Sequence, residues 1–149
     1  MPVVQGSPKE LRSKLLLRGL VVWLVFIIVE SVLGTLRILF VEPQVGAEVA
    51  QRIGLIAGSV ALLAVAYLFI NWLGAAGWAA LVEVGVFWVV LTFLFEMGIG
   101  HLRGRNWQSL LADYNVMHGG LMSVAMVLLL FAPLIARTLR SRKPAALRR

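Results

Sequence analysis

Four apolar runs dominate the chain, at residues 19–41, 53–70, 78–100 and 119–136. Glu30 and Arg37 interrupt the first, and the third contains Glu83 and Glu96. The second and fourth carry no charge. Roughly 20 apolar residues, rising about 1.5 Å each as a helix, span a hydrocarbon core of about 30 Å. Backbone groups in lipid must be satisfied within their own segment, which predicts a helix for each run. The ten-residue alternating strands of a membrane barrel are not in the pattern. The expected fold class is therefore an all-α integral membrane protein, four transmembrane helices in an antiparallel bundle.

The polar stretches punctuate these runs. In "SPKELRSKLLL", Ser7 is placed to cap a lead-in helix, Pro8 suits its first position, and Glu10 stands three residues on, as in a capping box. The connection between the second and third runs, near residues 74–77, is short and neutral. Between the third and fourth lies "HLRGRNWQSLLADYNVMHGG". There Asn106 can cap a short helix with Trp107, Leu110 and Leu111 on its apolar side, lying in the interface plane. Asp113 is placed to cap the start of the fourth span. Gly54, Gly58 and Ala61 form a small-residue face suited to close helix packing inside the protein. Trp72, Trp78 and Trp107 fall where interfacial aromatic belts are expected. Pro133 predicts a kink or an end late in the fourth helix.

Composition agrees with lipid as the solvent. The 149 residues, enough for one domain, are 60% hydrophobic and 14% charged, with a mean hydropathy of +0.91. A soluble domain is nearer half apolar and a quarter charged. Charge sets the orientation. Lys9, Arg12, Lys14 and Arg18 precede the first run, and Arg137, Arg140, Arg142, Lys143, Arg148 and Arg149 follow the fourth, together ten of the 14 basic residues. Four spans put both tails on one side, and the positive-inside rule makes that side the cytoplasm. This divides the chain into a basic lead-in helix (1–18), a four-helix domain (19–136) and a basic tail (137–149). A net charge of +7 without a recognition motif points to headgroups of anionic lipid, and nucleic acid is not expected as a partner. The first run is too long for a cleaved signal peptide and no A-x-A site follows. With no cysteine, disulfides, thiol catalysis and Cys-held metals are excluded.

Chemistry concentrates in the outer half. Glu30, Gly34 and Arg37 share one face of the first helix. A charge at that depth costs roughly 2.5–3.5 kcal/mol on insertion scales, so it should turn inward and find a partner. The third helix returns Glu96 to the level of Arg37, the loop adds Arg103, Arg105 and Trp107, and the start of the fourth brings Tyr114, Asn115 and His118 inward. Glu30, Arg37, Glu96, Arg103, Trp107, Tyr114, Asn115 and His118 are therefore the candidate ligand-binding residues. One reading makes them a site for a small molecule, a lipid or an ion, for binding or transport. The other makes them an ion-pair network, Glu30 and Glu96 against Arg37 and Arg103, in a structural or accessory subunit of a larger membrane complex. No metal or other cofactor is expected: His101 and His118 stand 17 positions apart outside any H-x-x-x-H pair. Ser109 lacks a G-x-S-x-G setting, and no residue set supports an enzyme. Lipid is the expected partner, with a second copy or a partner protein as further candidates.

"ESVLGTLR" (30–37), "EPQVGAEVAQRIG" (42–54), "FEMGIG" (95–100) and "NWQSLLADYNVMHGGLM" (106–122) together resemble a family of small bacterial inner-membrane proteins with four spans and no known activity. The resemblance implies the same architecture and a multi-pass place in the bacterial inner membrane, and supplies no chemistry. A narrower one, confined to "VESVLGT" in the first run, is to small multidrug resistance transporters. It implies proton-coupled transport through Glu30. Those proteins have weak charge bias and form antiparallel dimers, whereas basic residues here mark one side.

Overall fold

The computed structural model describes residues 7–115, 117 and 120–141. These are helical almost throughout, with no strand among them. Four helical stretches are long and apolar enough to cross a membrane: Pro8–Val45, Ala47–Leu73, Trp78–Leu102 and Met122–Ser141.

The first stretch begins as its sequence dictates. The Ser7 side chain accepts from the Glu10 N–H while the Glu10 carboxylate accepts from the Ser7 N–H at 3.0 Å, closing the capping box ahead of Pro8. Helix α1 (Pro8–Leu36) then runs without a break from the basic lead-in into the apolar run. It loosens into a π turn (Arg37–Val41) and closes with α2 (Glu42–Val45). Pro43 has no N–H to give to the carbonyl four residues back, and the widened turn comes immediately before it. Gly46, at φ +82°, breaks the helix and α3 (Ala47–Leu73) follows. Gly74, at φ +72°, takes the left-handed position that ends α3, and α4 (Trp78–Leu102) starts four residues later.

The region before the last span departs from expectation. Asn106 does cap a short helix, α5 (Trp107–Ala112), its side chain accepting from the Ser109 N–H at 2.8 Å. The fourth span, α6 (Met122–Ser141), begins nine residues after Asp113 rather than at it. Asp113 closes the C-terminal end of α5 and pairs with Arg105 at 2.8 Å. The chain folds back there: the Gly120 N–H donates to Asn115 O and the Met122 N–H to Asp113 O. A side chain at Gly120 would strike the Asp113 carbonyl. These bonds take up the backbone groups that an earlier helix start would have used. Pro133 does not end α6, which continues to Ser141. The basic stretch at 142–149 lies outside the described residues.

Helix α1 packs on α3 and α4, and α6 packs on α3 and α4. Trp88 is the centre of the core. It is 1% exposed, its indole N–H donates to Gly19 O at 2.8 Å, and its ring meets Phe26 edge-on at 4.7 Å. Trp23 donates to Thr92 Oγ1 at 2.9 Å. Between membrane helices such bonds contribute on average about 0.6 kcal/mol each. Gly85 on α4 is so close to α6 that a Cβ there would run into the Leu130 carbonyl. Only 17–22% of the most apolar window of each span is buried inside the protein. Leu, Ile, Val and Phe cover the outward faces, so the helices present to their surroundings the surface that lipid solvates. Trp72, Trp78 and Trp107 are exposed toward helix ends, while Trp23 and Trp88 belong to the core.

Candidate ligand cavity

Glu30 and Arg37 leave α1 toward α3, and α3 meets them with glycines. A Cβ on Gly58 would stand 2.7 Å from Glu30 Oε2, and one on Gly54 would stand 2.6 Å from Arg37 Cδ. Both distances are below contact, so the absent side chains let each charged residue lie against α3. The G-x-x-x-G is thus more than a packing face: it seats two charged side chains. Gly54 and Gly58 are one turn apart, about 6 Å along the axis. The seats therefore hold the carboxylate and the arginine stem on successive turns of α3, and not against each other.

This spacing accounts for the ion pairs. Among the described residues these are Arg12–Glu83 and Arg105–Asp113. The side chains of Glu30, Arg37, Glu96 and Arg103 make no ion pair or hydrogen bond there. The expected network of two glutamates against two arginines does not form among these residues. Glu96 lies within electrostatic reach of Arg103, Arg105 and Asp113 without touching them.

What the side chains surround is space. A cavity of about 1060 Å³ is walled by α1 and its π turn, by the first turns of α3, by the end of α4, and by α5 with the loop after it. Glu30, Arg37, Glu96, Arg103, Arg105, Asp113 and Tyr114 all line it. A second space of about 210 Å³ adjoins it, lined mainly by Phe26, Leu62, Leu129 and other apolar groups. Glu30 and Glu96 line both, so the carboxylates stand where polar cavity passes into apolar pocket. Arg37 and Arg103 line only the larger.

Helix α5 closes one wall. Leu110, 3% exposed, fits over Gly100 of α4, where any side chain would collide with it. Tyr114 follows, its ring edge-on to Phe93 at 5.6 Å and its backbone carbonyl accepting from the Ser123 hydroxyl. Its own hydroxyl is buried and has no hydrogen-bond partner among the described residues. Burial raises the Tyr114 pKa to about 12, and the nearby Glu96 and Asp113 carboxylates push the same way. The phenol remains a hydrogen-bond donor at any physiological pH.

Of the eight residues expected at the site, the structure brings five to the cavity: Glu30, Arg37, Glu96, Arg103 and Tyr114. Trp107 does not belong to it. It lies on the outer face of α5, 56% exposed, stacked on His101 at 5.2 Å, because Leu110 takes the inward position. Asn115 is also absent from the lining, its side chain accepting from the Met117 N–H at 3.1 Å. His118 lies outside the described residues. Gly54 and Gly58 were legible only as a packing motif, although their one-turn spacing opposite two inward charges is the signal that identifies them. No protein-family model, curated protein sequence or solved structure matches this chain.

Proposed function

We propose that this chain is a multi-pass protein of the bacterial inner membrane, an antiparallel four-helix bundle that binds a small molecule, a lipid or an ion in its outer cavity. Contact register supports the bundle. Arg12–Glu83, Gly19–Trp88 and Trp23–Thr92 keep sequence offsets of 71, 69 and 69, so α1 and α4 run the same way. Arg18 reaches Trp72 O at one end of α1 and Arg37 reaches Gly54 at the other, so α3 runs against α1. The basic lead-in and Arg140, which donates to Tyr67 O at 2.8 Å, then share the end opposite the cavity. By the positive-inside rule that end is cytoplasmic and the cavity extracytoplasmic.

One observation carries the binding reading: two carboxylates and two guanidiniums line a large cavity without pairing to each other. Ionisable groups held at membrane depth mark ligand or ion paths. Their costly placement would be better compensated in a purely structural network by direct contact. Gly34 provides the test. It lines the cavity, and a Cβ there meets nothing within 4 Å. Gly34→Leu is therefore expected to fold and to occupy part of the space. Native mass spectrometry of the protein extracted from membranes is expected to show a bound non-protein mass that Gly34→Leu loses. Equal spectra for the two proteins, with a partner protein retained by both, would replace this reading with that of an accessory subunit.

A further inference from the structure

The charges in the cavity are arranged by sign, and this narrows the ligand. The inference rests on the binding reading above. Arg105 and Asp113 satisfy one another, which leaves Glu30, Glu96, Arg37 and Arg103. At the end of each of two helices an arginine in the C-cap position follows a glutamate by seven positions, Glu30 to Arg37 after α1 and Glu96 to Arg103 after α4. With α1 and α4 parallel at an offset near 70, Glu96 stands level with Phe26 and Arg103 with Leu33. Along the axis the order is Glu96, Glu30, Arg103, Arg37. The carboxylates form an inner layer, beside the apolar pocket, and the guanidiniums an outer layer. The seats on Gly58 and Gly54 hold the Glu30 and Arg37 side chains about one helical turn, or about 6 Å, apart.

We propose that the cavity takes a zwitterion, with its ammonium group toward Glu30 and Glu96 and its phosphate toward Arg37 and Arg103. A ligand of one sign gains from one layer and is opposed by the other, in a site where screening is weak. A ligand carrying both signs on a short spacer satisfies both layers and leaves the cavity neutral. Guanidinium suits the anion because its fork matches phosphate oxygens in a bidentate pair. The Tyr114 hydroxyl, which has no hydrogen-bond partner among the described residues, supplies a further donor. The ammonium ethyl phosphate group has this layout, and it reaches the cavity either as a free solute or as the headgroup of a membrane lipid.

Both sources are testable on the full-length protein. In micelles, calorimetry compares O-phosphoethanolamine with ethanolamine and with inorganic phosphate. In nanodiscs, native mass spectrometry compares retention of phosphatidylethanolamine with that of phosphatidylglycerol. The expected result is at least a tenfold preference for the zwitterion in one arm, which identifies the source. Glu30→Gln and Arg37→Gln should each lower it at least tenfold. Glu96→Gln and Arg103→Gln repeat the test on α4 and decide it should an α1 variant fail to fold. The proposal is overturned if phosphate or phosphatidylglycerol binds as tightly and the Gln variants at Glu30 and Glu96 are neutral or stronger, which describes an anion site. It is equally overturned if ethanolamine suffices and the arginine variants are silent. In both cases the cavity remains a binding site, since Gly34→Leu still removes the ligand. No binding in either arm, together with an unaltered mass spectrum for Gly34→Leu, removes both readings.

Discussion

A carboxylate or guanidinium inside a membrane helix must be compensated, and Glu30 and Arg37 are met by glycine seats and a cavity, with no ion pair to either among the described residues. That Glu30 and Arg37 turn inward was legible in the sequence, because the cost of pointing them at acyl chains leaves few alternatives. That they avoid each other was not, since it depends on where two glycines of another helix fall against them. Tyr114 shows a second side of the same physics. Its ring is held by Phe93 and its hydroxyl is shielded, so its pKa rises from the ordinary 10.0 to about 12. A group whose pKa is raised in the fold favours folding while it is protonated in both states. That contribution is complete below about pH 10 and is lost as pH rises toward 12. In a Tyr67→Phe background, where Tyr114 is the remaining tyrosine, absorbance of the phenolate should titrate near 12 in the folded protein. A midpoint at 10 would mean that Tyr114 stands in open water and does not line the cavity.

Among the helices, two glycines that look alike in sequence do different work. The contact that a Cβ on Gly54 would make is with the flexible stem of Arg37, whereas on Gly85 it would be with the backbone carbonyl of Leu130. A side chain can move aside; a helix backbone moves only with its helix. Gly54→Ala should therefore keep or slightly raise stability, since alanine is the better helix former by about 1 kcal/mol. It should also unseat Arg37 and weaken ligand retention. Gly85→Ala should force α4 and α6 apart and destabilise the protein by about 1–3 kcal/mol, as overpacking does. Thermal unfolding in micelles, read beside native mass spectrometry, separates the two; equal melting losses would contradict the distinction. Element boundaries show where sequence reading stops. The capping box at Ser7, the cap at Asn106 and the turn at Gly74 were readable because each is local chemistry. The late start of α6 was not. Asp113 has the composition of an N-cap, and what redirects it is the Arg105 guanidinium together with a fold-back sealed by Gly120. Both contacts are set by the loop as a whole.

At the scale of the molecule, the four apolar runs were enough to predict an all-helical chain with four segments able to span a membrane, because lipid leaves the backbone so few options. The cavity between those segments was not predictable: it depends on how closely each pair approaches and on α5 folding over the end of α4. The proposed orientation joins the two levels, since it puts the basic ends of α1 and α6 in the cytoplasm and the cavity on the other face. The absence of cysteine makes this directly measurable, as any single cysteine introduced is the only thiol present. Lys9 and Arg137 lie at the basic end, and Gln108 lies on α5 beside the cavity; all three are exposed, so substitution disturbs little packing. In intact cells a membrane-impermeant maleimide should label Gln108→Cys and leave Lys9→Cys and Arg137→Cys unlabelled until the membrane is broken. Labelling of Lys9→Cys from outside would invert the molecule. It would then place the cavity against the cytoplasm, where its ligand would come from the metabolite pool or the inner leaflet. Partial labelling of all three would mean insertion in both directions, and ten basic residues would then have failed to decide between the two sides.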